Sequence, residues 1–326
     1  MKNSPELKDY IDGIKNRDRT LLARAITLIE SQNPDHQVVA QKLLQHILPL
    51  TGKSHRLGIS GTPGVGKSTF IEAFGKMLTA SGKTVAVLAV DPTSQKSGGS
   101  ILGDKTRMNE LAIDPQAFIR PSPSGETLGG VARRTRESLL LCEAFGFDYV
   151  LVETVGVGQS ETTVASMVDI FIMLLQPGAG DDLQGIKRGI LELVDMVVVT
   201  KDDGDQQKII AKAKHDYEQA LHILRHEGWQ PPVMSCSSLT KAGLPEIKKK
   251  IDEFFKAHEK SLSDKRMKQG EEWANDLILE GLENSFKSSL GEAALKAAMK
   301  SITDGSQTPP QAADILLKKY FSRKDP

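Results

Sequence analysis

Over the first fifty residues, apolar positions recur at helical spacing. Leu21, Leu22, Ala25, Leu28 and Ile29 form one set, and Val38, Val39, Leu43, Ile47 and Leu48 the next. Residues three and four apart share a helix face, so residues 1–50 predict a helical lead-in with one apolar side. Ser4-Pro5 reads as its start, a capping residue followed by proline in the first turn. From Arg56 the period changes. Short apolar runs at Leu57–Ser60, Val85–Val90, Phe118–Arg120, Val150–Glu153, Ile170–Gln176, Met196–Thr200 and Val233–Ser235 alternate with segments long enough for a crossover helix. Strands apolar on both faces and separated by helices predict a doubly wound, mostly parallel α/β sheet with helices on each side, spanning residues 51–258. Beyond Ser261 no strand pattern returns. Trp273, Leu277, Leu279, Leu282 and Phe286 make one helical stripe and Ala293–Ile302 another, and a turn at 304–310 precedes a last helix through Tyr320. This C-terminal helical segment, residues 259–326, carries more apolar stripe than a lone hairpin can bury. It is expected to pack on the α/β domain or on a second subunit.

Composition narrows the function classes. At 326 residues the chain exceeds the usual single domain of about 150. Lys+Arg and Asp+Glu balance at 42 each, which argues against a nucleic-acid or membrane-surface binder, since both need a basic excess. Cys142 and Cys236 stand far apart without a CxxC or zinc spacing, the usage of buried, reduced thiols. Met1–Asp9 is polar, unlike a secretory signal, and the longest apolar runs fall well short of the ~20 residues that cross a bilayer. The expected location is the cytoplasm, or an organelle after loss of a targeting piece.

The strongest chemical signal is Gly61-Thr62-Pro63-Gly64-Val65-Gly66-Lys67-Ser68-Thr69. Gly61, Gly66, Lys67 and Ser68 match the Walker A pattern of a P-loop NTPase, which lies between a strand and a helix. Glycines let backbone N–H groups turn inward around a β-phosphate, and the following helix start adds its positive dipole end. In that frame Lys67 bridges β- and γ-phosphate oxygens and the Ser68 hydroxyl binds Mg²⁺. Average residue usage produces such a pattern by chance in about one chain per hundred of this length. Its position after a predicted strand and before a helix at 68–80 makes chance rarer still.

Guanine is read by a carboxylate that accepts from N1–H and the 2-amino group, usually within Asn-Lys-x-Asp at a strand end. Here Lys201 and Asp203 fill two of those positions and Thr200 replaces the asparagine. The amide that would bond the base edge and brace the phosphate loop is missing, and a hydroxyl replaces at most one of its bonds, at a net loss of about 1 kcal/mol. Ser237-Ser238 takes the place of the turn whose backbone contacts guanine O6. A solvated acidic turn is the other reading of residues 201–204, but its place downstream of a phosphate loop favours GTP over ATP. Residues 150–161 form a buried strand ending in Glu153, with Gly156 three residues on. Glu153 is expected to hold a Mg²⁺-bound water and the Gly156 N–H to contact the γ-phosphate. Val157 occupies the position of the water-orienting glutamine of small signalling GTPases, and Gln159 lies close by. Slow intrinsic hydrolysis follows, with a partner needed for speed. The polar, glycine-rich segment 90–107 reads as a loop ordered by nucleotide, in which Asp91 and Asp104 are candidate metal or water-positioning carboxylates, or else turn and cap residues.

Four long motifs, at residues 90–94, 98–108, 153–161 and 180–187, closely resemble the MeaB/ArgK family of GTPase chaperones associated with methylmalonyl-CoA mutase. The resemblance spans nearly the whole chain, including the helical flanks. It implies GTP/GDP and Mg²⁺ as ligands, an adenosylcobalamin-dependent acyl-CoA mutase as partner, and a homodimer held largely by the C-terminal helices. Nucleotide turnover would then gate cofactor loading and protect or reactivate the mutase. Residues 176–187 resemble the family's third switch, from which Lys187 would reach the nucleotide in an activated state. Two other readings remain: a GTPase delivering nickel or another metal, and a nucleotide-dependent kinase linked to basic amino-acid transport. His215, His222 and His226 fall on one predicted helix, but no further ligand completes a metal set, and a solvated helix face is the plainer reading. Arg133, Arg134 and Arg136 likewise read as a solvated face of a 127–145 helix rather than as a finger aimed at nucleotide.

The guanine assignment is testable on one residue. Asp203→Asn is expected to turn preference from guanine toward xanthine nucleotides in a binding titration, and undiminished GTP affinity in that variant would overturn it.

Overall fold

The computed structural model describes residues 5–90, 108–121, 128–154, 159–178, 188–204, 206–224 and 228–322. Asp91, Asp104, Gly156, Val157, Lys187 and His226 lie outside them, as does the side chain of Gln159. The chain divides into two compact units, Met1–Leu262 and Ser263–Pro326.

The first unit opens with α1 (Leu7–Lys15), α2 (Arg19–Glu30) and α3 (Pro34–Ile47). Ser4-Pro5 does not start α1. Glu6 is the capping position, and its N–H donates to the Asp9 carboxylate at 2.8 Å, which satisfies the first-turn donor from inside the helix. Asp18 caps α2 by accepting from the Thr20 and Leu21 amides. Leu22, Ala25, Leu28, Ile29, Leu43 and Ile47 are buried along one side of these helices, whereas Val38 and Leu48 of the expected apolar face point outward.

All seven apolar runs form strands: β1 (His55–Gly61), β2 (Val85–Val90), β3 (Ala117–Arg120), β4 (Tyr149–Thr154), β5 (Ile170–Leu175), β6 (Met196–Val199) and β7 (Val233–Ser235). They pair in the order β3-β2-β4-β1-β5-β6-β7, every pair parallel, so the described sheet has no antiparallel edge. Between them run α4 (Lys67–Ala80), α5 (Asn109–Ala112), α6 (Leu128–Phe145), α7 (Gln159–Ala165), α8 (Arg188–Leu191) and α9 (Gln207–Leu224), and α10 (Leu244–Ala257) follows β7. The period-2 alternation of each strand builds two cores. Ala86, Leu88 and Val90 of β2 face a cluster with residues of α1–α3 and α6, while Val85 and Val87 face one with residues of α4 and α10. A sheet buried on both faces needs strands that are apolar throughout, and all six residues of β2 are buried.

Charge fixes where β1 begins. Arg56 donates through Nε and Nη2 to the buried Glu143 of α6 at 2.9 and 2.6 Å, and the Gly52 amide reaches the same carboxylate. The Arg56 amide donates to Asp169 Oδ2 at 2.8 Å. A carboxylate removed from water is tolerated because each oxygen has a donor. The arginines of α6 are not a solvated face: Arg136 is buried and donates to the Ser166 hydroxyl at 2.6 Å, and Arg133 pairs with Glu137 and Gln37. Packing of α6 against α7 and α3 draws these side chains into polar contacts that helical periodicity does not reveal.

In the second unit, α11 (Leu262–Leu290, from Ser263 onward), α12 (Glu292–Thr303) and α13 (Pro309–Phe321) enclose a small core of Leu290, Leu316 and Tyr320, flanked by Phe286 and Leu295. Thr308 and Pro309 start α13, the hydroxyl accepting from the Gln311 amide. Of the expected stripe, Phe286 joins this core, but Leu279 is 65% and Leu282 54% exposed. Met267, Ile278, Met299, Ile315 and Leu317 are exposed as well. No described helix is long and apolar enough to cross a membrane.

Candidate nucleotide site

The site forms at the carboxyl end of the central strand, where β1 gives way to α4. Gly61 ends β1 with φ of 152°, and a Cβ there would sit 2.5 Å from the Leu174 carbonyl oxygen of β5. Gly66, at φ 100°, turns the chain into α4. Side chains are disfavoured at both positions, the first by contact and the second by backbone conformation. Thr62, Pro63, Gly64 and Val65 lie between, closed by a Val65 N–H to Thr62 carbonyl bond of 3.2 Å. Lys67 Nζ curls over this turn and donates to the Gly61 and Thr62 carbonyls at 2.6 and 3.2 Å. Thr69 follows in the first turn of α4.

Ser68 and Glu153, assigned to one metal from sequences 85 residues apart, come together: Ser68 Oγ donates to Glu153 Oε1 at 3.0 Å. Glu153 is 3% exposed, at the end of β4 next to β1. A hydroxyl and a carboxylate oxygen at this separation are hard donors, the type that suits Mg²⁺. The remaining carboxylates of the expected set, Asp91 and Asp104, fall outside the described residues, as do Gly156 and Lys187.

The base side is built from β6, β7 and the turns after them. Thr200 is buried, and its Oγ1 donates to the Val65 carbonyl at 2.8 Å and the Leu175 carbonyl at 3.1 Å. The brace that the missing asparagine would have supplied to the phosphate loop is therefore present, carried by a hydroxyl. Lys201 adopts φ 62°, a left-handed conformation unfavourable for a lysine, and its Nζ donates to the Gly64 carbonyl at 3.0 Å and to Gln176 Oε1 at 2.9 Å. Strain of this kind clusters where a side chain must be aimed. Asp203 accepts from the fully buried Ser237 hydroxyl at 3.0 Å, and Ser237 Oγ in turn accepts from the Thr240 amide. Sequence reasoning gave the Ser237-Ser238 turn a backbone role only, whereas the Ser237 side chain holds the Asp203 carboxylate by a hydrogen bond. Gln176 was also missed, although it opens the segment 176–187 singled out by motif.

Cys142 and Cys236 are free and buried. Burial, with Asp202 close by, pushes the Cys236 thiol up to about 12, so it is no nucleophile near neutral pH. His215 contacts Gln219 through Nε2 at 2.9 Å, and among the described residues no group of three His, Cys, Asp or Glu could hold a metal ion.

Thr200 gives the second prediction. Thr200→Val keeps the shape of the side chain but strands the Val65 carbonyl, a loss of about 1–3 kcal/mol. Calorimetry is expected to show weakened binding of both GTP and GDP, because the loop rather than the base edge is released. Unchanged affinity for both would remove the brace from the account.

The comparisons with known proteins agree with this geometry. The family described as methylmalonyl-CoA mutase-associated GTPase MeaB matches residues 22–290. The GTPase ArgK of Escherichia coli is 54% identical over 84% of this chain and 84% of its own length. The mitochondrial methylmalonic aciduria type A homolog of Mus musculus is 45% identical over 97% of this chain and 84% of its own. A crystal structure described as a LAO/AO transport system kinase superposes with a TM-score of 0.78 at 40% identity, covering 98% of both chains. With a glycine-turn phosphate loop on the central strand and a family match that reaches into both helical flanks, the chain belongs to the MeaB family and is a P-loop GTPase that binds guanine nucleotide and hydrolyses GTP.

Proposed function

We propose that this GTPase assists an adenosylcobalamin-dependent acyl-CoA mutase of the methylmalonyl-CoA type, gating cofactor loading and protecting or reactivating the enzyme. The observation that carries the reading is the match over residues 22–290 to a family described by its association with that mutase. The name of the mouse relative, which refers to methylmalonic aciduria, points the same way.

In this reading backbone N–H groups of the 61–66 turn, Pro63 apart, gather the β-phosphate and Lys67 exchanges its carbonyl partners for β- and γ-phosphate oxygens. Ser68 and Glu153, with Asp91 and Asp104, would hold Mg²⁺, whose charge offsets that of the phosphates. Asp203 reads the base and the Lys201 stem covers it. Gly156 contacts the γ-phosphate, and Gln159, Asp104 or a partner residue orients the attacking water. With Val157 where signalling GTPases carry glutamine, turnover waits on the partner. The exposed apolar side chains of α11–α13 support a homodimer formed through the C-terminal helices, since association would remove them from water.

Two measurements test the proposal. GTP turnover is expected to rise at least tenfold when a methylmalonyl-CoA mutase-type partner is added, with labelled GTP yielding free phosphate. No acceleration and no complex would sink the chaperone role while leaving the nucleotide site intact, and label on an acceptor would favour the kinase reading that the solved relative's description suggests. Sedimentation of the whole chain is expected to give a dimer that Leu279→Glu with Leu282→Glu converts to monomer. A wild-type monomer would exclude that assembly.

A further inference from the structure

A buried polar chain lies beside the phosphate loop, unused by the chemistry above. Thr154 Oγ1 donates to Ser60 Oγ at 2.9 Å, and Ser60 Oγ donates to Glu161 Oε1 at 3.3 Å. The direction is set by chemistry: a carboxylate oxygen accepts, so Ser60 gives its proton to Glu161 and accepts from Thr154. Ser60 and Thr154 are wholly buried and Glu161 is 4% exposed. A carboxyl group taken out of water is stable only where its oxygens find donors, so each member of the chain constrains the others.

Position gives the chain its meaning. Ser60 immediately precedes Gly61, the first residue of the phosphate loop. Thr154 follows Glu153 and closes β4, whose register pairs Glu153 with Ile59. Glu161 is the third residue of α7. Thr154 and Glu161 thus bracket the segment that carries Gly156, and Ser60 fastens both brackets to the base of the loop that holds the phosphates.

We propose that Glu161, acting through Ser60 and Thr154, is a positioning residue for GTP hydrolysis: the chain ties the end of β4, with Glu153, and the first turn of α7, the two flanks of Gly156 in sequence, to the base of the phosphate loop. It rests on the reading of Gly156 as the γ-phosphate contact. The link serves the step that depends on the γ-phosphate and leaves GDP, which lacks one, bound as before.

The experiment compares steady-state hydrolysis and GDP affinity of the full-length protein carrying Thr154→Val, Thr154→Ser, Ser60→Ala, Glu161→Gln or Gly156→Ala. Thr154→Val removes the hydroxyl and keeps the volume; Thr154→Ser does the reverse. The expected result is a fall in kcat of about tenfold for Thr154→Val and Ser60→Ala, with KM and GDP affinity held within about twofold. Thr154→Ser stays near wild type, and Ser60→Ala combined with Thr154→Val is no slower than either alone, because both cut one chain. A larger defect in Thr154→Ser than in Thr154→Val would show that packing governs the position and would overturn the proposal. So would normal kcat in Thr154→Val and Ser60→Ala, or loss of GDP binding in step with kcat. If Thr154→Val does not fold, Ser60→Ala carries the same comparison. Gly156→Ala separates the two readings: if it leaves hydrolysis intact, the γ-phosphate assignment fails and takes this role with it, whereas a slow Gly156→Ala beside a normal Ser60→Ala removes the chain alone.

Discussion

Where β1 meets β5, the last residue of the central strand approaches its neighbour so closely that the Leu174 carbonyl occupies the space of a side chain. Only Gly61 fits there, with its φ of 152° and no Cβ to meet that oxygen at 2.5 Å. That approach lets the strand end in the glycine turn, with α4 starting directly behind it. Widening it by one methyl group would separate β1 from β5 and shift Lys67, Ser68 and the turn between them together. The central place of β1, with three strands on each side, makes this the best-held point of the sheet.

The base-reading side depends on the same turn. Thr200 spans from the end of β6 to the Val65 carbonyl, and Lys201 from a strained backbone to the Gly64 carbonyl, so two consecutive residues grip the phosphate loop from the β6 side. Asp203 is then aimed by Ser237, which is aimed by the Thr240 amide. The Thr200–Asp203 turn and the glycine loop are joined in this arrangement through the Gly64 and Val65 carbonyls. A hydroxyl can stand in for the asparagine amide at the brace because only one buried carbonyl needs a donor there, and the 2.8 Å contact supplies it.

The two cores divide the work. Residues of α1–α3 and α6 cover one face of the sheet, and residues of α4 and α10 the other, so the helical lead-in is part of the structural support of the nucleotide domain. Arg120 pairs with Glu30, and Arg19 donates to the Pro115 carbonyl, tying β3 and the turn before it to α2. The second unit has a core of only a few buried side chains and leaves large apolar ones exposed on its helices. A unit so small gains little from its own burial, which is consistent with helices that bury the remainder elsewhere.

The sequence alone determined the seven strands, because each is an apolar run of its own length bounded by polar residues, and both faces of a parallel sheet must be filled. It determined the phosphate loop, because glycine spacing, lysine and serine are demanded by backbone geometry within eight consecutive residues. It also singled out Asp203 as a candidate for reading the base, through local motif and order along the chain. What it could not give were contacts between residues far apart in sequence whose types are individually ordinary. Ser68 meeting Glu153, Thr200 bracing Val65, Ser237 orienting Asp203 and Ser60 joining Thr154 to Glu161 each depend on strand order and register. Arg136 shows the same limit, since helical spacing marked it as solvated and the packing of α6 beside α7 buried it. Periodicity reports which side of an element is apolar; a hydrogen bond of 3 Å is fixed only when two elements have been placed against each other.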